Sequence, residues 1–140
     1  MIERIETPRA PLPAGHYSQA IKANGFVFVS GQLPFAPGPD RQLPDGIEAQ
    51  ARQCLDNLAA ILQASGSSVD QLVSVQLFIP DVALWAKVNA VYEAFMGAAR
   101  PARTVVPTRD LHYGALIELN AVAVVGAAAV GIGAAVGVVD

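Results

Sequence analysis

Residues 47–79 read IEAQARQCLDNLAAILQASGSSVDQLVSVQLFI, and the change of rhythm inside this stretch decides the fold. Ile47, Ala51, Cys54, Leu55, Leu58, Ile61 and Leu62 recur at helical spacing and share one face. Glu48, Arg52, Gln53, Asp56 and Gln63 take the other. Ser65-Gly66-Ser67-Ser68 stops the helix, with Gly66 suited to a left-handed C-terminal cap. Leu72 to Ile79 is then rich in valine, leucine, isoleucine and phenylalanine, which predicts a strand. A helix with one apolar face that leads into a strand must lay that face on a sheet.

Working outward, Tyr17 to Ala23 reads as a first strand and Phe26-Val27-Phe28-Val29-Ser30 as a second. Asn24-Gly25 between them is the favoured pair for a tight hairpin. Residues 1–15 read as loop, because Pro8, Pro11 and Pro13 limit regular structure. Residues 33–46, with four prolines, read as a surface loop. Downstream, Pro80-Asp81 ends the strand and Asp81 can cap a second helix. Its apolar stripe is Trp85, Val88, Tyr92 and Phe95, joined by Val91, and Gly97 closes it. Arg103 to Val106 and Ala115 to Val125 complete the strands. The order ββαβαββ gives an α+β fold, a mixed sheet with both helices on one face. The opposite face needs a cover, which a neighbouring subunit could supply.

Length fits one domain, placed at residues 1–125, with a C-terminal extension at 126–140. Hydrophobic residues make up 53% and charged residues 15%, an apolar balance for a soluble monomer that predicts a homo-oligomer. Net charge is −3 without any basic cluster, so nucleic acid is not expected as a partner. The lone cysteine, Cys54, excludes an internal disulfide and fits a reducing, cytoplasmic compartment. It falls on the apolar helix face and reads as packing. The N-terminal Met1-Ile2-Glu3-Arg4-Ile5-Glu6 has no apolar region of a secretory signal. Ala121 to Val139 is uncharged, but alanine, glycine and valine insert weakly, so a membrane span is not expected. Three readings of Gly126 to Asp140 stay open: continuation of the last strand, a subunit contact, or a loosely held segment.

Two polar residues stand out for chemistry. Pro101-Ala102-Arg103-Thr104 puts an arginine at a strand start, and its planar fork suits two-point grip of a carboxylate. Glu118 lies inside the apolar run Ala115 to Ala123, where a carboxylate is costly unless used or paired. Strand alternation puts Glu118 and Asn120 on the face of Leu116 and Val122, with Ile117 and Leu119 opposite. Burial there is expected to raise the glutamate pKa. Together the two suggest a pocket that holds an organic acid beside a proton-handling group.

Several motifs in order resemble the RidA family (YjgF/YER057c/UK114). They are Gly15-His16-Tyr17-Ser18-Gln19-Ala20-Ile21, Val29-Ser30-Gly31-Gln32-Leu33-Pro34, Gln50 with Cys54-Leu55-Asp56-Asn57-Leu58, Val88-Asn89-Ala90-Val91-Tyr92, Pro101-Ala102-Arg103-Thr104, and Ile117-Glu118-Leu119-Asn120-Ala121-Val122-Ala123. The resemblance implies a chorismate-mutase-like trimer with clefts between subunits. It implies hydrolysis of enamines and imines, such as 2-aminoacrylate and 2-iminopropanoate, to a 2-keto acid and ammonia. No metal or organic cofactor is implied. Arg103 would anchor the substrate carboxylate and Glu118 would orient and deprotonate water. Tyr17, Ser30, Gly31, Asn89 and the backbone around Val105 would line the substrate site. The chain departs from many members at His16, often proline, and at Val105, often cysteine. His16 reads equally as a solvated loop residue or as a group tuning substrate choice. His112-Tyr113-Gly114 reads as a turn, with a place beside the cleft the lesser alternative. The competing functional classes are a non-catalytic metabolite-binding trimer and a ribonuclease or translation inhibitor.

Overall fold

The computed structural model describes residues 1–126. Its strands are β1 (Glu3–Ile5), β2 (Ala20–Ala23), β3 (Phe26–Gln32), β4 (Leu72–Ile79), β5 (Ala102–Pro107) and β6 (Glu118–Val124). Its helices are α1 (Ile47–Ala64) and α2 (Trp85–Met96). One mixed sheet runs β1-β2-β3-β6-β4-β5. The neighbours β4 and β5, joined through α2, are parallel, and every other pair is antiparallel.

Local chemistry explains the joints. Asn24 and Gly25 both take positive φ, 52° and 81°, as the tight turn between twisted strands requires. Past the end of α1, the Ser67 amide reaches back to the Leu62 carbonyl at 2.8 Å around Gly66. Asp81 accepts the Ala83 amide at 2.9 Å, capping the short 3-10 turn Val82–Leu84 that feeds α2.

Both helices share one core with the inward faces of the strands. Leu55, Leu58, Ile61 and Leu62 of α1 are at most 2% exposed, against Val27, Val75, Leu77, Leu119 and Ala123. Each buried side chain of this size contributes about 1.5–3 kcal/mol by leaving water. Cys54 is buried here, and burial pushes its thiol well above the usual range, so it stays an unreactive packing group. Val88, Tyr92 and Met96 are the buried residues of α2, whereas Trp85 and Phe95 lie only partly buried at its margin.

The expected loop at residues 1–15 is corrected in one place. Glu3–Ile5 forms an edge strand against β2, with Ile5 buried and Lys22 near Glu3 at 3.9 Å. Three residues are too few to display a period. The segment after it is pinned by Gln19, which is 1% exposed. Its amide donates to the carbonyls of Thr7, Ala10 and Pro11, and its oxygen accepts the Thr7 amide at 2.7 Å.

The sheet face away from the helices carries Phe26 and Phe28, 39% and 48% exposed. Among the described residues nothing covers this face fully. Among the described residues no helix is long and apolar enough to cross a membrane. The extension at 126–140 lies, beyond Gly126, outside the described residues.

Candidate functional site

A register shift between Val29 and Gln32 interrupts the pairing of β3 with β6. Such bulges re-aim side chains beside functional sites. Here the displaced residues are Ser30 and Gly31, and β6 presents Glu118 to them. Gly31 has a steric reason to be glycine: a Cβ built there collides with Glu118 Oε2 and lies 3.3 Å from its Cδ. The Ser30 hydroxyl donates to the Ser18 carbonyl at 2.6 Å, tying the bulge to the segment that leads into β2. Glu118, Ser30, Gly31, Tyr17, His112 and Arg41 line one cavity of about 510 Å3. Half-burial raises the Glu118 pKa above the ordinary carboxylate value, and the nearby His112 pulls it back down in part.

The walls of this cavity are held by polar residues on the buried side of α1. Asn57 donates to the carbonyls of Leu33 and Phe35 at 3.3 and 2.8 Å. Gln50 donates to the Pro44 carbonyl and accepts the Leu116 amide at 2.8 Å. Helix and loops are thereby fixed to each other at both edges of the site.

Arg103 stands elsewhere. On β5 it faces α2, where its guanidinium lies 4.7 Å from the ring centres of both Trp85 and Tyr92. Its Nη1 donates to Asn89 Oδ1 at 3.0 Å. Two aromatic faces and an amide fix the fork in direction while, among the described residues, leaving other N–H groups without a partner. Arg103, Asn89, Tyr92 and Arg100 line a second cavity, also about 510 Å3. Among the described residues neither Arg103 nor Glu118 belongs to a salt bridge.

Within one chain, therefore, Arg103 and Glu118 do not share a pocket. The reason is strand parity. Arg103 pairs with Val75, which faces the helices, whereas Glu118 pairs with Phe78, which faces the other way. Tyr17, Ser30, Gly31 and Glu118 come together in one cavity and Arg103 with Asn89 in the other. Val105, on β5 beside Arg103, packs against the core. His16 is exposed and does not line the Glu118 cavity, but His112 and Tyr113 do. Tyr113 reaches it from a left-handed backbone, φ 63°, with its ring edge-on to Phe35 at 5.2 Å. The sequence reading did not single out Arg41, a third lining residue. Its signal was an arginine in a proline-rich loop, too common to mark a site. Among the described residues no group of three His, Cys, Asp or Glu side chains is placed to hold a metal.

A bulged strand beside a half-buried carboxyl and an aromatic-clamped arginine, each lining its own cavity, sit on a six-stranded sheet with two helices and define a small α+β domain with two candidate sites. Comparison with known proteins gives the family. A family model described as Endoribonuclease L-PSP matches residues 7–125. A RutC family protein of Pyrococcus horikoshii is 42% identical over 123 residues, covering 88% of this chain and 98% of that one. The solved RidA of an Antarctic Psychrobacter superposes with a TM-score of 0.84 at 34% identity, covering 88% of this chain and 99% of that one. The structure of E. coli TdcF with bound serine gives 0.84 at 35% identity, covering 89% and 99%. The chain belongs to this family, that of the RidA and L-PSP proteins, and its fold is the chorismate-mutase-like one.

Proposed function

We propose that the chain hydrolyses reactive imino acids and their enamine tautomers, of the 2-iminopropanoate and 2-aminoacrylate type, to 2-keto acids and ammonia. The observation that carries this reading is Glu118, a half-buried carboxyl of raised pKa that faces an open cavity with hydroxyl groups beside it. A bare binding module needs an anchor for a carboxylate but no such acid.

The anchor is Arg103. Its fork takes the substrate carboxylate in a charge-assisted pair, and Asn89, Trp85 and Tyr92 hold it in direction. Because Arg103 and Glu118 lie on opposite faces of the sheet, the working site joins two copies of the chain. The exposed edge strand β5 of one copy supplies the anchor, and the bulge cavity of the next supplies the acid. A homotrimer with three such clefts accounts for the open face carrying Phe26 and Phe28. Backbone groups around Val105 would border the cleft.

The reaction then balances simply. The substrate reacts as its protonated imine: Glu118 takes a proton from water as the water oxygen bonds to the imine carbon, and the C=N electron pair moves to nitrogen, leaving a neutral amino carbinol. Glu118 gives that proton to nitrogen; the C–N bond then breaks as the carbinol oxygen forms C=O, its hydroxyl proton passes back to Glu118 and on to solvent, and ammonia leaves. The substrate is already activated by its conjugated carboxylate, so the chemistry calls for no metal or organic cofactor. The serine bound in E. coli TdcF is a small amino acid, the size and charge this reading requires. A ribonuclease, which the family description names, has the net charge of −3 against it. The single buried cysteine suits a cytoplasmic setting.

The test is to generate 2-iminopropanoate from L-alanine with an amino-acid oxidase and follow its capture by semicarbazide. The purified chain should divert imine to pyruvate. Arg103→Ala should lose at least ~100-fold in kcat/KM with the oligomer intact, since a two-point charged pair is removed. Glu118→Gln should still bind pyruvate but not turn over. No acceleration over buffer would leave a metabolite-binding module as the better reading.

A further inference from the structure

Arg41 lines the cavity of Glu118 without a role in the hydrolysis described above. Its backbone holds a left-handed conformation, φ 49°, which is costly for any side chain but glycine. Its guanidinium stacks 5.0 Å from the Phe35 ring centre, and Nη2 donates to the Leu12 carbonyl at 3.2 Å. Phe35 is in turn fixed by Asn57 through its carbonyl. The fork is thus pre-set in direction, and among the described residues four of its five N–H donors remain beyond the bond to Leu12. The salt bridges among the described residues are Lys22–Glu3 and Arg52–Asp56, so Arg41 has no carboxylate partner there.

A cavity of about 510 Å3 exceeds the needs of a three-carbon acid. A 2-imino acid with a neutral side chain brings one carboxylate, which Arg103 of the adjoining copy takes. Arg41 then stands on the wall of the cavity that holds Glu118, with no part in gripping that carboxylate. His112, from a different loop, adds a second basic group to the same wall.

We infer that Arg41 selects substrate, favouring 2-imino acids whose side chain ends in a second carboxylate. This rests on the deaminase reading, and the experiment separates the two. The dicarboxylic imine made from L-aspartate by its flavin oxidase is compared with 2-iminopropanoate, both in the semicarbazide assay. Arg41→Gly removes the side chain at a position whose backbone suits glycine, so the fold is kept. Arg41→Lys retains the charge without the fork.

In the unaltered chain kcat/KM should be higher for the dicarboxylic imine. Arg41→Gly should lower the ratio of the two kcat/KM values by ~10-fold or more, the loss of one charge-assisted contact. Arg41→Lys should recover part of that ratio. An unchanged ratio in Arg41→Gly, with 2-iminopropanoate still hydrolysed, overturns the assignment to Arg41 and leaves the deaminase reading standing. No turnover of either imine by the unaltered chain overturns both.

Discussion

Replacing Gly31 by alanine isolates the placement of Glu118 from everything else about it. The backbone at Gly31 is not in the left-handed region, so alanine is conformationally acceptable there. The three atoms nearest the added Cβ all belong to the Glu118 side chain, with Oε2 in collision, Cδ at 3.3 Å and Cγ at 3.8 Å. The far end of a flexible side chain can swing away, so folding should lose little. To regain ordinary van der Waals separation the carboxyl must retreat by about 1 Å, and a displacement of that size can cost ~100-fold in rate. That corresponds to about 2.7 kcal/mol of barrier. Gly31→Ala should therefore reduce kcat on 2-iminopropanoate by ~100-fold while its Tm stays within about 3 °C of the unaltered protein. Full activity would mean that the position of Glu118 does not set the rate. A large fall in Tm alongside the lost activity would make Gly31 a folding residue and undo the argument.

Other substitutions test neighbouring parts of the reasoning. His112 holds the Glu118 pKa down against burial, so His112→Gln should let it rise further. A base must be ionised, and the acidic limb of the kcat/KM profile should move to higher pH; a shift to lower pH, or none, would contradict the pairing. Asn57→Ala strands the carbonyls of Leu33 and Phe35 beneath the loop, and should cost about 1–3 kcal/mol, read by calorimetry as a lowered Tm. An unchanged Tm would show that the loop is held by other means.

What could be read from the chain alone was whatever is decided by neighbours in sequence. The Asn24-Gly25 turn, the stripe of α1, the stop at Gly66 and the cap at Asp81 obey local rules, and the structure has all of them. The face occupied by Glu118 also followed from alternation within one strand. The misses belong to pairings between distant segments. Glu3–Ile5 is a strand only because β2 offers it a ladder. The bulge at Ser30 and Gly31 exists only in relation to β6. The separation of Arg103 from Glu118 depends on the registers of both β5 and β6 against β4, which neither motif contains. Gln50 and Asn57, polar residues on an apolar helix face, needed knowledge of the carbonyls they meet. Arg41 and Tyr113 reach the cavity from left-handed backbones that nothing in their immediate sequence demands.

The parity that divides Arg103 from Glu118 has a genetic reading. On the assembly proposed above, every cleft draws its anchor and its acid from two different polypeptides. A lesion at Arg103 and a lesion at Glu118, each fatal alone, would then damage complementary halves. Co-expressed in one cell, the two alleles could rebuild intact clefts in mixed assemblies, so that a single locus behaves as two complementation groups.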